Sequence, residues 1–128
     1  TAQQLRDRNF ADIDLDPLIE EVEDMGNSQR RALLSNLRVL LMHLLKYQYQ
    51  PEKRSASWRS TIIEHRIRIA DAFEESPSLK NYFLQNFDKT YQKARKQAVL
   101  ETELPLHTFP EQSPFTVEAV LNDEFIPD

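Results

Sequence analysis

A chain of 128 residues, 40% apolar and 29% charged, has room for one compact core, and its mix is globular rather than disordered or collagenous. The absence of cysteine, and a single glycine against seven prolines, exclude a disulfide scaffold, a thiol nucleophile, a cysteine zinc site and a glycine-rich phosphate loop. The net charge of −5 runs against a general nucleic-acid binder, whose affinity comes mainly from Lys and Arg on phosphates.

In chain order, Asp14-Leu15-Asp16-Pro17 opens the first helix. An Asp supplies the capping acceptor, Pro17 fits the first turn, and Glu20 and Glu21 suit the positive dipole end. Leu18, Val22 and Met25 share a face, and Gly26 stands where a terminating glycine belongs. Ser28 then caps a second helix running to about Tyr49. Its Leu33, Leu34, Leu37, Val39, Leu40, Leu41, Met42, Leu44 and Leu45 surround it rather than form one stripe, which predicts the buried centre of the domain. Pro51 ends it.

Ser55 or Ser57 caps a third helix, with Trp58, Ile62, Ile69 and Phe73 on its apolar stripe and Arg59, Arg66 and Arg68 on a basic outer face. Ser76-Pro77-Ser78-Leu79 separates it from a fourth helix carrying Phe83, Phe87, Tyr91, Ala94 and Ala98 at helical spacing. Pro105, Pro110 and Pro114 then predict an irregular wrap with few backbone donors. Thr116 caps a short fifth helix, with Phe115 and Val120 as its hydrophobic staple.

The expected fold is all-α: one domain over 1–128, a bundle-like arrangement of four main helices, then a proline-rich wrap and a short C-terminal helix. No window is apolar enough to span a bilayer, since Leu37 to Leu45 is short and holds Arg38 and His43. No signal peptide is visible, so a cytoplasmic location is expected. Thr1 is no initiator, and further residues are expected upstream.

Charge is unevenly spread. Asp12 to Asp24 holds seven acids and no base, Met25 to Arg68 nine bases and two acids, and Glu101 to Asp128 seven acids and no base. Such a chain can neutralise itself by packing its flanks on its middle, which predicts Glu20, Glu23 or Asp24 beside the basic stretch. The alternative is an exposed basic face for nucleic acid or an acidic partner.

Four runs have a recognisable order. Leu18-Ile19-Glu20-Glu21-Val22-Glu23-Asp24-Met25-Gly26 is followed by Leu40-Leu41-Met42-His43-Leu44-Leu45-Lys46-Tyr47-Gln48-Tyr49-Gln50-Pro51-Glu52, and then by Ser57-Trp58-Arg59 and Ser76-Pro77-Ser78-Leu79. In these the chain resembles the bacterial family called domain of unknown function 29, from about Phe10 onward. The resemblance implies a small, mostly helical, intracellular bacterial protein and carries no catalytic residues. The closing Phe125-Ile126-Pro127 departs mildly from the family's aromatic before proline.

The candidate chemistry centres on histidine. His43 lies in the most apolar stretch, where a neutral imidazole needs a donor and an acceptor partner. The expectation is a largely buried, neutral histidine bonded to a carboxylate or backbone group. The functional alternative pairs it with Glu20, Glu23 or Asp24 across a tight turn at Gly26. His43, His65 and His107 could form an open three-histidine metal site, but neither Glu-x-x-His nor His-Glu-x-x-His occurs, and no metal or cofactor is assigned.

Arg38 with His43, and Arg59 with His65, resemble the Arg-x(4–6)-His spacing of helical-bundle ribonucleases. With ten Arg and three His in the chain, about 0.7 such matches arise by chance, so the spacing is weak evidence. Lys53 to Arg59 mixes bases, hydroxyls and Trp58, as a phosphate contact would, yet Trp58 starts an apolar stripe and is expected mostly buried, with Ser57 as cap. The leading expectation is therefore a non-enzymatic module acting through a protein partner or self-association. The alternative is a helical-bundle hydrolase, ribonuclease-like or metal-dependent, using His43 or His65.

Overall fold

The computed structural model describes the backbone of residues 16–128 and the side chains of residues 26–128. Among the described residues there is no strand; the elements are α1 (Asp16–Tyr49), α2 (Ala56–Glu75), α3 (Leu79–Thr102) and the short α4 (Val117–Leu121), with 3₁₀ turns at Pro51–Lys53 and Leu106–Thr108. The all-α expectation holds. The element count changes, because the two helices expected on either side of Gly26 are one 34-residue helix.

Gly26 does not terminate it. A terminating glycine needs positive φ, and no glycine here has it. The flanking residues are helix-compatible, and a helical glycine costs only about 1 kcal/mol relative to alanine. Inter-residue contacts divide the chain between Arg31 and Ala32. On the N-terminal side the described structure is the first part of α1, with Arg31 donating to the Ser28 hydroxyl at 3.3 Å.

From Ala32 onward the core is continuous. Leu33, Leu37, Leu40, Leu41, Leu44 and Leu45 of α1 are buried with Ile62 and Ile69 of α2 and with Leu79, Phe83, Phe87, Tyr91, Ala94 and Ala98 of α3. Phe109, Phe115 and Val120 complete it from the C-terminal segment, Phe109 meeting Tyr49 edge-on at 5.4 Å. The all-round apolar character of this part of α1 follows: it takes neighbours from more than one element.

Ser55, not Ser57, caps α2, its hydroxyl accepting from the Trp58 amide at 3.2 Å. Arg66 is the second correction on this helix. Expected on the basic outer face, it is buried, because it falls one turn after Ile62 on the same side. Its guanidinium donates to the carbonyls of Val120 and Phe125 at 2.8 Å and of Ala119 at 3.3 Å. It thereby meets carbonyls at the end of α4 and just beyond it, that of Ala119 shared with the Asn122 amide. Burial lowers its pKa, and Asp123 opposes that shift. Arg59 and Arg68 do lie outside, Arg68 pairing with Glu64 one turn earlier at 3.0 Å.

Helix α3 is capped by Glu103, which takes the left-handed conformation (φ 62°) and donates its amide to the Val99 carbonyl at 2.8 Å. Carbonyls of the proline segment are then held by α3 side chains. The Tyr91 hydroxyl donates to Pro110 at 2.6 Å, Gln92 to Glu111 at 2.7 Å, and Arg95 to Phe109 at 3.0 Å. A proline-rich stretch has few donors, so its carbonyls must be met from outside. As expected, Thr116 caps α4, accepting from Ala119 at 3.1 Å, with Phe115 and Val120 both buried.

Candidate functional site

Three helices contribute to one polar chain beside the core. Arg38 of α1 donates to Gln97 Oε1 of α3 at 2.6 Å, and Gln97 Nε2 donates to Glu101 Oε2 at 3.4 Å. The other oxygen of Glu101 accepts from Lys46 Nζ of α1 at 3.0 Å. Lys46 in turn stands over the Trp58 ring of α2, 4.8 Å from its centroid. The Lys46 side chain is only 11% exposed and Glu101 41%. A buried ammonium is costly without a partner, and the hydrogen bond from Lys46 is the largest cause holding the Glu101 carboxyl below its ordinary pKa.

His43 sits within this arrangement, one turn before Lys46. It is half-buried rather than buried. Its Nδ1 lies 2.9 Å from the Val39 carbonyl, which can only accept, so Nδ1 carries a proton and the lone pair of the neutral ring is on Nε2. Burial is the main cause lowering its pKa; Lys46 and His65 push the same way, while the Val39 bond and Glu101 oppose it. His65 of α2 repeats the arrangement, its Nδ1 2.8 Å from the Thr61 carbonyl. Two imidazoles in mutual electrostatic range are thus each held through Nδ1 by a backbone carbonyl one turn earlier, which leaves Nε2 as the ring nitrogen open to a further contact.

Of the residues expected to act together, His43, Arg38 and His65 belong to this junction. Arg59 does not join His65: it is exposed, 3.5 Å from the Tyr47 hydroxyl, while His65 bonds the Thr61 carbonyl; and Arg38 and His43, about 140° apart around α1, reach the junction from different sides of that helix. His107 is exposed on the 3₁₀ turn Leu106–Thr108. Among the described residues no three His, Cys, Asp or Glu side chains are grouped to hold a metal ion. The side chains of Glu20, Glu23 and Asp24 lie outside the described residues, and so does their expected pairing with the basic stretch. The tight turn meant to bring them antiparallel to His43 does not form, because α1 is helical through Gly26.

Gln97 and Glu101 carried no sequence signal. They lie 59 and 55 residues from Arg38 and Lys46, and nothing local marks one exposed acid of α3 over another. The acidic tail does supply one partner to the basic middle, Glu101 on Lys46, and Asp123 acts on Arg66 only through its electrostatic field.

The outward face of α2 has a different character. Ile63 and Ile67, one turn apart, are 52% and 50% exposed. Ala56, Ser60 and Ala70 on the same side are exposed too. Elsewhere a 310 Å³ apolar groove is lined by Phe73, Lys80, Phe83, Leu84, Val117 and Leu121. Among the described residues no helix is long and apolar enough to cross a membrane.

No curated protein and no solved structure matches the chain. One family model does, described as Domain of unknown function DUF29, over residues 1–126. The match spans nearly the whole sequence, including the runs around Glu20, His43 and Trp58, and the chain belongs to that family.

Proposed function

We propose that the protein is a non-enzymatic helical module working by protein association, with the outward face of α2 as its contact surface. The observation carrying this reading is the pair Ile63 and Ile67, two large apolar side chains half in water on one face of a helix whose other face supplies Ile62 and Ile69 to the core. Scattered exposed apolar residues are ordinary; a stripe at helical spacing is the pattern used for helix-mediated contacts. The reading takes the chain as one domain, its long helices bundled with residues 105–114 wrapped over them. It also places the protein in the cytoplasm, in keeping with a chain that has no cysteine to oxidise. The test is co-purification from the source cell's extract with the tagged full chain. Ile63→Lys with Ile67→Lys should lose what the parent retains, whereas Leu84→Lys, in the separate groove, should not. Equal retention by all three would remove α2 from the reading.

A second reading rests on the histidine pair. In it Arg38 holds a phosphodiester while Nε2 of His43 or His65 moves a proton, as the ribonuclease-like spacing suggested. Cleavage of single-stranded RNA by purified full chain, abolished in a folded His43→Gln variant, would establish it; no cleavage across pH 5 to 8 would dismiss it.

A further inference from the structure

The charges on α2 run against the helix's own dipole. Its first turn holds no acid and its last turn no base. Instead Arg59 stands near the start, while Asp71, Glu74 and Glu75 gather at the end, all exposed. Acids near a helix C-terminus and bases near its N-terminus are each unfavourable for the isolated helix. Among the described residues none of the three acids makes an ion pair within the chain. Between the two charged ends lie the exposed Ile63 and Ile67, flanked by the small Ala56, Ser60 and Ala70.

This order is self-complementary. When a second α2 is laid antiparallel so that Ile63 of one copy meets Ile67 of the other, Arg59 comes level with Asp71 of the second copy, with Glu74 less than a turn beyond. The same contacts repeat across the two-fold axis, as an isologous interface requires. The arrangement also sets the two helix dipoles antiparallel, and the ends that are unfavourable alone become attractive in the pair. The small residues at 56, 60 and 70 permit close approach of the two backbones.

We infer that the partner of the outward α2 face is a second copy of this chain, docked antiparallel through Ile63 and Ile67 with Arg59 facing the acids at the far end of α2. The inference rests on the association reading above and names its partner. The apolar centre is small, so the dimer is weak and salt-sensitive.

Sedimentation equilibrium of the purified full chain tests it. The expected result is a concentration-dependent dimer whose dissociation constant rises about tenfold or more in Ile63→Lys, the size of effect for a central interface residue. Arg59→Glu and Glu74→Lys should each weaken the dimer, and the double variant should recover part of the loss, because the swapped charges face each other again. Both single changes improve the match to the helix dipole; Arg59→Glu gives up a long bond to the Tyr47 hydroxyl, so Glu74→Lys, which should leave thermal stability unchanged or raised, is the variant in which weaker association cannot be ascribed to unfolding. A chain that stays monomeric at millimolar concentration overturns the inference, and so does a dimer indifferent to Ile63→Lys or to the charge swaps. If the chain is monomeric while α2-dependent retention in cell extract persists, the second copy is refuted and the association reading stands.

Discussion

Lys46 Nζ lies 3.0 Å from Glu101 Oε1, joining α1 to α3 with the Trp58 ring of α2 against the same ammonium group. One buried cation therefore links three helices. A double-mutant cycle of Lys46→Met and Glu101→Gln should return a coupling of about 1 kcal/mol, a value discounted for the exposure of Glu101. Glu101→Gln alone should be the costlier of the two, since it strands a buried charge, whereas Lys46→Met keeps the packing against Trp58. Denaturant midpoints of the four proteins decide both points.

The pH dependence follows from two depressed pKa values. Burial holds His43 below its ordinary 6.5, so at a pH between its folded value and 6.5 the unfolded chain binds more protons, and stability falls as the medium is acidified through that window. Glu101, held below its ordinary 4.5 by the Lys46 hydrogen bond, contributes stability that is present above 4.5 and lost on further acidification. His43→Gln should flatten the upper window and leave the lower. Unfolding curves from pH 8 to 3 would separate them, and an unchanged slope between pH 6.5 and 5 in the variant would count against a desolvated His43.

Arg66 is the sole cation bonded to Val120, Phe125 and Ala119 together among the described residues. Arg66→Met should cost about 3 kcal/mol, since each buried acceptor left unmet costs about 1–3 kcal/mol. It should also speed proteolysis after Leu121. Arg66→Lys, with one nitrogen for three carbonyls, should recover less than half. If protease sensitivity is unchanged in Arg66→Met, the guanidinium is not what holds the C-terminal segment.

Leu41 and Leu44 are fully buried. Truncating either to Ala should cost about 2–5 kcal/mol, the range for a leucine leaving a cavity. A loss below about 0.5 kcal/mol by denaturant titration, the size of a surface effect, would put that turn of α1 outside the core.

Gly26→Ala separates two conformations of one residue. A Cβ placed there meets nothing within 4 Å, and the backbone is helical, so alanine should stabilise the chain by about 0.5–1 kcal/mol and raise its helicity by circular dichroism. Had Gly26 closed a helix in the left-handed region, the same change would destabilise by more than that.

The sequence alone determined which segments are helical from Ser28 onward, the burial of Phe83, Phe87, Tyr91, Ala94 and Ala98, the capping by Thr116 and the family. The helices, the stripe and the cap depend on residues within about a turn of one another, where spacing and capping chemistry act locally, and the family on the order of runs from Leu18 to Leu79. Tertiary structure decided the rest. Gly26 reads as a stop because glycine ends many helices, yet its cost inside one is small enough for the helix to continue. Arg66 reads as a surface base because charge argues for water, yet three carbonyls from the far end of the chain give it a buried place. His43 and Arg38 were legible as candidates, but Gln97 and Glu101 were not, because their partners are more than fifty residues away and only packing of α1 against α3 brings them within hydrogen-bond range. The exposure of Ile63 and Ile67 was likewise hidden, since a sequence shows that a residue is apolar and only the fold shows which apolar residues are left without a cover.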